Sequence, residues 1–358
     1  MRKTVLHDVH ENKLKAKMAP FAGFNMPLQY TSAKLEIAAV RNQAGIFDVS
    51  HMGEFFVSGD ETGDFINFMI TNDYNKLPVG KAIYSPICNQ EGNVLDDLIV
   101  YKLDENYALI CVNAANIEQD WNWFSTHALN FNVSLENKSE DYSLIALQGP
   151  KSEELLIEVF NSYKEILKNL PYYGVHANMN DNIIFARTGY TGEDGFEVFC
   201  KNDTVEEIWE SLLKAGATPC GLAARDTLRL EVCYPLYGHE LDIKHTPRES
   251  SLSWTLKKSN SNYLGKESIS IKSPDSKIVK LSLEKLIPRE GYKIFLLDEE
   301  IGHVTSGTFS PTISQGIAMA RVKNIKNMQE EDLLIEIRGK KYPAKLHKRP
   351  FYAGGIKK

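Results

Sequence analysis

Gly92-Asn93-Val94-Leu95-Asp96-Asp97-Leu98-Ile99-Val100-Tyr101 is an apolar run that carries two adjacent carboxylates. Its first two residues predict a turn, and the residues after them predict a β-strand. Because side chains alternate along a strand, we expect Asp97 to share one face with Leu95 and Tyr101, and Asp96 to lie on the opposite face. Neither face is polar, so an ionised carboxylate there needs a partner. Each aspartate therefore either caps a turn or pairs with a buried arginine, or it faces a pocket that receives a polar ligand.

Strand patterns surround this run. Residues 82–113 predict a three-stranded meander in which the aspartate strand is central. Residues 183–200 predict a second hairpin, whose connection carries Gly189, Gly192 and Gly195. Three glycines in seven residues imply positive φ angles or a close backbone approach. A surface hairpin that happens to be rich in glycine would also fit this pattern.

Helix and loop signals separate these strands. Proline and glycine across residues 20–30 predict a shaped loop. Ser32 predicts the cap of a helix that ends near Ala44. Its apolar stripe is expected to contain Leu35, Ala38, Ala39 and Asn42. Thr204 with Glu207 predicts a capping box for a later helix. Residues 221–232 predict a helix that places Arg225 and Arg229 on one face, since they are four residues apart.

The composition changes at about residue 257, where polar, loop-like segments begin. Short strand patterns with glycine and proline turns follow, and helical periodicity is scarce. The predicted strands are Lys277–Leu283, Tyr292–Leu297, Gly302–Thr305, Gly316–Val322 and Leu333–Ile337. The tail therefore predicts a separate small β-barrel or sandwich.

Composition excludes several classes of protein. At 358 residues the chain exceeds one typical domain, and 43% hydrophobic with 25% charged residues is ordinary for a globular protein. The net charge of −6 gives no case for nucleic-acid binding, and no apolar run approaches membrane-spanning length. Five scattered cysteines without a C-x-x-C pair predict reduced, buried thiols and a cytoplasmic location. The histidines are dispersed, and His51 lacks a neighbouring ligand, so no metal site is expected.

The remaining polar candidates lie in glycine-rich or apolar settings. They are Tyr84, Asp97, Asn113, Tyr190, Glu197 and Arg225. A carboxylate, aromatic rings and an arginine suit a flat heterocycle with amidine-like N–H groups. The carboxylate accepts two hydrogen bonds, the rings stack, and the guanidinium binds a carbonyl or carboxylate.

Motifs across nearly the whole chain support a family assignment. They include Lys17-Met18-Ala19-Pro20-Phe21-Ala22-Gly23, Phe47-Asp48-Val49-Ser50-His51-Met52-Gly53, Leu95-Asp96-Asp97-Leu98, Val112-Asn113-Ala114, Arg187-Thr188-Gly189-Tyr190-Thr191-Gly192-Glu193-Asp194-Gly195, Ala224-Arg225-Asp226 and Phe309-Ser310-Pro311. In this set and order the chain closely resembles the aminomethyltransferases, the T-protein family of the glycine cleavage system. It departs at Gly92-Asn93, where the family usually has two glycines. Asparagine tolerates the left-handed conformation, so the turn is expected to survive.

The resemblance implies a site and a reaction. Asp97 would be the catalytic carboxylate, and the tetrahydrofolate site would be lined by Met52, Tyr84, Asn113, Tyr190, Glu197 and Arg225. The reaction would move an aminomethyl group from the lipoyl arm of the H-protein to tetrahydrofolate. Ammonia would be released and 5,10-methylenetetrahydrofolate formed, with no metal. Tetrahydrofolate is thus the expected co-substrate and the H-protein the expected partner.

The resemblance also implies an α+β fold with three domains in a clover-leaf. Two interleaved α/β domains would occupy residues 1–260, a C-terminal β-barrel would occupy residues 277–358, and the folate would lie in the central hole. Two other functions use this scaffold. One is a different tetrahydrofolate-dependent demethylase. The other is a non-enzymatic, folate-binding iron–sulfur assembly factor, but residues 233–240 lack the Lys-Gly-Cys-x-x-Gly-Gln-Glu pattern of those proteins.

Overall fold

The structure is a computed structural model that describes residues 1–260, 262–325 and 333–356. Its strands are β1 Lys17–Phe21, β2 Phe24–Gln29, β3 Gly45–Asp48, β4 Gly53–Ser58, β5 Lys81–Cys88, β6 Val94–Asp104, β7 Tyr107–Val112, β8 Ser134–Asn137, β9 Tyr142–Gln148, β10 Val175–Asn178, β11 Ile183–Ala186, β12 Gly195–Lys201, β13 Thr218–Pro219, β14 Ser276–Leu283, β15 Lys293–Leu296, β16 Glu299–Ser310, β17 Gln315–Lys323, β18 Leu333–Ile337, β19 Lys340–Pro343 and β20 Lys345–His347.

Helices occupy the connections between these strands. They are α1 Ala33–Asn42, α2 Thr62–Met69, α3 Ile117–Ala128, α4 Ser152–Val159, α5 Lys164–Asn169, α6 Val205–Ala215, α7 Leu222–Glu231 and α8 Lys266–Ile271. Within the described residues, no helix is both long and apolar enough to cross a membrane.

Two sheets form the N-terminal part of the fold. One is six-stranded, in the order β10-β11-β12-β9-β3-β13, and the other is five-stranded, in the order β5-β6-β7-β4-β8. All five strands of the second sheet lie in the chain between β3 and β9, which pair with each other in the first sheet. The first sheet is therefore discontinuous in sequence. The meander and the hairpin that the sequence predicts are both present, as β5–β6–β7 and β11–β12.

The two sheets pack with helices on their outer faces. One core joins the six-stranded sheet to α4 and α6, through residues such as Leu156 and Trp209. Another joins the five-stranded sheet to α2 and α3, through Phe65 and Phe124. A third core lies between the sheets and includes Tyr101 together with residues of both. Inward-facing side chains of both sheets therefore meet in the middle of the protein.

A seven-stranded sheet in the order β19-β18-β15-β16-β17-β14-β20 forms the C-terminal part, with its own apolar core. All its strand pairs are antiparallel, and the sheet curls into a half-barrel. Together with the two N-terminal sheets, this confirms the predicted fold class of mixed α and β domains followed by a C-terminal barrel-like domain. The predicted C-terminal range of 277–358 also covers residues 326–332 and 357–358, which lie outside the described residues.

Some local predictions were wrong. Residues 20–30 are not a loop, because β1 and β2 pair as a hairpin around Ala22 and Gly23, both at positive φ. Thr204 begins α6, but its hydroxyl donates to the Lys201 carbonyl rather than capping the helix. The turn before β6 needs a left-handed residue at Gly92, where φ is +80°. Asn93 does not have a positive φ, so the turn does not depend on the ability of asparagine to adopt the left-handed conformation.

Ser32 caps the α1 helix, as predicted, but the helix buries a different face. Ser32 accepts a hydrogen bond from the Leu35 amide, whereas the Leu35 side chain is exposed. The buried residues are Glu36, Ile37 and Val40. The Glu36 carboxylate accepts hydrogen bonds from the backbone amides of Tyr30, Thr31 and Gly221. Its burial is favourable because it satisfies three donors that would otherwise lack partners.

Candidate functional site

A cavity of about 820 Å³ lies between the two N-terminal sheets, α7 and the C-terminal sheet. That volume falls in the range of small-molecule sites. All seven residues proposed from the sequence lie on its wall, namely Met52, Tyr84, Asp97, Asn113, Tyr190, Glu197 and Arg225. The structure thus brings together residues that are up to 173 positions apart in the chain (Met52 to Arg225).

The strand β6 delivers Asp97 to this cavity. Tyr101 and Asp97 share the inner face of β6, while Leu98 and Val100 pack on the outer face against α2 and α3. The prediction for Leu95 was wrong, because this side chain joins the outer core. The cause is a bulge, since Asp96 pairs with Ile87 and Val94 pairs with Cys88, which leaves Leu95 without an opposite residue.

Asp97 is held by two donors. The Tyr84 hydroxyl donates to Asp97 Oδ2 at 2.9 Å, and Asn113 Nδ2 donates to Asp97 Oδ1 at 3.0 Å. Burial, followed by the charge of the neighbouring Asp96 carboxylate, raises the pKa of the Asp97 carboxyl to about 7, against the opposing effect of these hydrogen bonds. At neutral pH this carboxyl group can therefore either take up or release a proton.

A second carboxylate lies on the wall formed by the six-stranded sheet. Glu197 alternates with Phe196 and Val198 along β12, and those two side chains pack in the outer core. Glu197 Oε2 accepts hydrogen bonds from Tyr101 Oη at 3.2 Å and Thr188 Oγ1 at 2.5 Å. These bonds fix the carboxylate on the cavity wall, where the second oxygen can accept a hydrogen bond from a ligand.

Arg225 supplies positive charge to the same cavity from α7. Its guanidinium carbon lies 4.9 Å from the centre of the Tyr190 ring. Arg225 Nη1 is buried and has no hydrogen-bond partner within the described residues. Burial lowers the pKa of Arg225, and the charge of Glu197 opposes that effect. An unpartnered guanidinium N–H at a cavity wall is suited to a carbonyl or carboxylate oxygen of a ligand.

Aromatic side chains cover much of the remaining wall. Tyr84 stacks on Trp254, with ring centres 5.7 Å apart and planes inclined by 19°. Tyr190 is fixed through its hydroxyl, which donates to the Pro235 carbonyl. Met52 contributes a thioether beside the core between the sheets. These surfaces suit a flat, partly apolar ligand.

The connection between β11 and β12 needs its glycines for two different reasons. Gly192 has a φ of +79°, which glycine adopts without strain. A Cβ on Gly189 would lie 1.9 Å from Gln148 Oε1, and one on Gly195 would lie 2.5 Å from Gln148 Nε2. The prediction of positive φ or close backbone approach is confirmed, and the partner of the close approach is Gln148. This packing fixes the segment that carries Thr188 and Tyr190.

Several lining residues were missed by the sequence analysis. Alternation predicts Tyr101 on the face of Asp97, but Tyr101 was not among the proposed site residues. No sequence pattern pointed to Trp254, since it lies in a short 3₁₀ turn, Ser253–Thr255, that is distant in sequence from the seven proposed site residues. The sequence indicates no role for His51 beyond a metal ligand without partners, yet its ring lines the cavity and Nδ1 is a buried atom without a described hydrogen-bond partner. Burial, helped by the charge of Arg225, lowers the pKa of His51 to about 4, so the ring is neutral at pH 7.

Two family models of known proteins match most of the chain. A family model described as the GCVT N-terminal domain matches residues 6–260. A second, described as the glycine cleavage T-protein C-terminal barrel domain, matches residues 277–353.

Full-length relatives of this chain include proteins named aminomethyltransferase. An aminomethyltransferase of Thermosipho melanesiensis is 44% identical over 365 residues, covering 100% of this chain and 99% of that protein. The aminomethyltransferase of Thermotoga maritima is 43% identical over 367 residues and covers 100% of both chains. The crystal structure of the glycine cleavage system aminomethyltransferase T from Bartonella henselae superposes with a TM-score of 0.93 at 30% identity, covering 100% of this chain and 99% of that one.

Proposed function

The chain belongs to the glycine cleavage T-protein family of aminomethyltransferases, and on this premise we propose its reaction and its site. The protein transfers the one-carbon unit of an aminomethyl-lipoyl H-protein to tetrahydrofolate, with release of ammonia and formation of 5,10-methylenetetrahydrofolate. The observation that carries this proposal is the carboxyl group of Asp97, with a pKa near neutrality, in one cavity with Glu197 and Arg225.

The polar groups of the cavity suit a reduced pterin. Glu197 can accept hydrogen bonds from the amidine-like N–H groups of the pyrimidine ring, and Arg225 Nη1 can donate to an oxygen of the co-substrate. Tyr84 and Tyr190 supply aromatic surface to the same space. Met52 and Asn113 complete the proposed tetrahydrofolate site.

The reaction needs charge stabilisation and proton transfer. When the C–S bond of the aminomethyl thioether breaks, its electron pair stays on sulfur and a methylene iminium cation remains. The N5 amine of tetrahydrofolate attacks that carbon and loses a proton. Protonation of the NH2 group then lets it leave as ammonia with the electron pair of the broken C–N bond, and N10 attacks the remaining N5-methylene iminium carbon and loses its own proton. The two protons that N5 and N10 give up balance those taken up by the thiolate and by the departing amine. Ionised Asp97 stabilises the cationic carbon. Its carboxylate can accept the proton that the attacking N5 amine loses, and the resulting carboxylic acid can donate a proton to the leaving amine.

A transfer assay tests this function. Mixing the protein with tetrahydrofolate and aminomethyl-loaded H-protein is expected to release ammonia in equal amount to 5,10-methylenetetrahydrofolate. The measurement is a coupled ammonia assay together with the absorbance of the folate product. Ammonia release that requires a methylated small molecule instead of H-protein would indicate a demethylase. Folate binding without release from either donor would indicate the assembly factor.

Glu197→Gln tests the assignment of the pterin site. The glutamine amide presents an N–H group to the ligand where the carboxylate offered an acceptor. We expect the affinity for tetrahydrofolate to fall by about 10–100-fold, the value of a charge-assisted hydrogen bond. Anaerobic titration calorimetry measures the Kd. Glu154→Gln, the same change on the exposed face of α4, is the matched control and should bind as wild type does. Equal Kd values for Glu197→Gln and wild type would contradict the site.

Domain limits and location are part of the same proposal. We assign residues 1–260 to the folate-binding region and residues 277–358 to the C-terminal barrel, with the matched family ranges of 6–260 and 277–353 in support. A cytoplasmic location is supported by five free thiols, four of them buried and the fifth, Cys233, partly so. Cell fractionation would test the location.

A further inference from the structure

Two fully buried carboxyl groups lie behind Asp97 on the outer side of β6. Asp96 and Asp120 are both 0% exposed, and Asp120 belongs to the first turn of α3. Among the residues that the structure describes, the groups that act on them are carboxyl and amide groups rather than cations. Burial of two acids without a cation is costly, unless one of them is protonated and the other is well hydrogen-bonded.

The hydrogen bonds distinguish the two acids. Asp96 accepts three, from the Asn113 backbone amide at 3.2 Å, from Asn113 Nδ2 at 2.8 Å and from Asn116 Nδ2 at 2.8 Å. Three N–H donors favour an ionised carboxylate. Among the described residues, neither oxygen of Asp120 has an N–H donor at hydrogen-bond distance, and the Gln119 amide only lowers the pKa of Asp120 against larger opposing effects.

The side chain of Asp120 is hydrogen-bonded to the carboxyl group of Asp96. Two carboxyl groups in contact cannot both be ionised, and the donors on Asp96 assign the proton to Asp120. Burial, followed by the charge of Asp96, raises the pKa of Asp120 well above its usual value. At neutral pH Asp120 is therefore a neutral acid that donates to Asp96.

Asn113 connects this pair to the cavity. Its Nδ2 donates to Asp96 Oδ1 at 2.8 Å and to both Asp97 Oδ1 and the Asp97 carbonyl at 3.0 Å. A side-chain amide has only two N–H groups, so these three acceptors fix its orientation closely. The orientation of the amide, and with it the position of the Asp97 carboxyl, depends on an acceptor at Asp96.

We propose that Asp120 and Asp96 are positioning residues for Asp97, with protonated Asp120 donating to ionised Asp96, and Asp96 holding the Asn113 amide that orients the Asp97 carboxyl group. The inference rests on the proposed function only in taking Asp97 as the reacting group. The carboxyl groups of Asp96 and Asp120 touch neither substrate in this arrangement. They act through hydrogen bonds and charge alone.

The pair also sets the pH dependence of Asp97. The titratable groups that act on Asp97 are Asp96 on its own strand, Asp120 on α3, Tyr84 on β5, Tyr190 in the β11–β12 connection and Tyr237 in the segment after α7. Burial raises the pKa of Asp96 as well, but its hydrogen bonds with Asp120, Asn113 and Asn116 oppose that effect and assign the negative charge of the pair to Asp96. Because its negative charge opposes ionisation of Asp97, neutralising Asp96 would move the ionisation of Asp97 to lower pH.

Three variants test the proposal by kinetics. Asp120→Asn keeps a neutral donor of the same shape, so we expect kcat within about threefold of wild type and an unchanged pH profile. Asp120→Leu removes the donor and is expected to lower kcat by about 10–100-fold, with the KM for tetrahydrofolate within about twofold, because a misplaced reacting group costs rate rather than binding. Asp96→Asn is expected to shift the apparent pKa of the kcat profile down by about one unit.

The outcomes separate positioning from a structural role. If Asp120→Leu lowers the melting temperature but leaves kcat and its pH profile unchanged, Asp120 is structural only and the proposal is wrong. If Asp120→Asn is as inactive as Asp120→Leu, Asp120 acts as an ion, and the proposal is also wrong. Should Asp120→Leu fail to fold, Asp120→Asn and Asp96→Asn still decide the question.

A spectroscopic measurement needs no substrate. The infrared difference spectrum of wild type minus Asp120→Asn at pH 7 is expected to contain the C=O stretch of one protonated carboxylic acid. A difference spectrum with only ionised carboxylate bands would overturn the assignment of the proton. This test remains valid if the wild-type protein releases no ammonia in the transfer assay. Failure of the proposed function and failure of the positioning pair are thus distinguishable.

Discussion

Asp97→Asn is expected to lower kcat for ammonia release by about 10²–10⁴-fold, the usual contribution of a general acid or base. The amide keeps the size of the side chain and can still accept from the Tyr84 hydroxyl. It carries no negative charge for the cationic carbon and exchanges no proton with the amines. We therefore expect the Kd for tetrahydrofolate to change much less than kcat. The measurement is the coupled ammonia assay, with aminomethyl-loaded H-protein as donor.

The same substitution has a predicted effect on stability, with a definite sign. The pKa of Asp97 rises on folding to about 7 from its ordinary value of 3.8. Between these values the folded protein binds more protons than the unfolded chain, so the free energy of unfolding falls as the pH rises from about 4 to 7. Asparagine does not titrate, so the variant lacks this pH-dependent loss of stability. The melting temperature of Asp97→Asn minus that of wild type should therefore be larger at pH 8 than at pH 5.

Two controls limit the interpretation of Asp97→Asn. Asp104→Asn makes the same change at the exposed end of the same strand and should retain wild-type turnover. A variant that is inactive but also partly unfolded by circular dichroism would not test catalysis, so folding is measured at both pH values. An Asp97→Asn protein that is folded and retains more than about a tenth of wild-type kcat would exclude Asp97 as the catalytic carboxylate.

Arg229→Met is expected to destabilise the protein by about 3–5 kcal/mol, the cost of leaving one partner of a buried ion pair alone. Arg229 is 1% exposed, and its Nη1 donates to Glu240 Oε2 at 2.9 Å. Nη2 donates to Ser306 Oγ at 2.8 Å, which joins α7 to the C-terminal sheet. Methionine fills a similar volume, but it leaves the fully buried Glu240 without its cation. Urea denaturation followed by tryptophan fluorescence measures the loss.

The other partner of Arg229 provides a matched control. Asp226 Oδ1 accepts from Arg229 Nε at 2.8 Å, but the Asp226 side chain is 53% exposed. Exposed pairs contribute little, so Asp226→Asn should cost less than about 1 kcal/mol. The double variant Arg229→Met with Glu240→Gln removes both buried charges and should recover part of the loss. Equal destabilisation by Arg229→Met and Asp226→Asn would show that the buried pair is not the cause.

Sequence patterns predicted the parts of this fold that depend on near neighbours. The meander around Asp97, the β11–β12 hairpin and the C-terminal strands follow from alternation and turn residues, and all are present. The errors occurred where a local signal competed with a distant partner. The bulge at Leu95 reversed one side chain, because strand pairing with β5, not the pattern of β6 alone, sets the register.

The candidate site divides in the same way. Alternation predicts that Asp97 shares a face of β6 with Tyr101 and that Glu197 lies opposite Phe196 and Val198 on β12, but it does not say which face is inward. The motifs of the chain were enough to nominate the other proposed site residues. Trp254, the proton on Asp120 and the neutral state of His51 could not be predicted, because each depends on groups that only the folded chain brings near.

Most strands and turns, and the face that Asp97 shares with Tyr101 on β6, could thus be predicted from residue order, since they depend on backbone geometry and on residues a few positions apart. Which charges are buried, and in which protonation state, follows only from the packing of distant segments. Glu36 is buried because the Gly221 amide, 185 positions away, donates to it. Asp97 has a pKa near 7 because burial and an adjacent carboxylate oppose its ionisation. The free energy of a charge inside a protein depends on the partners and solvent around it, and those are fixed only when the chain has folded.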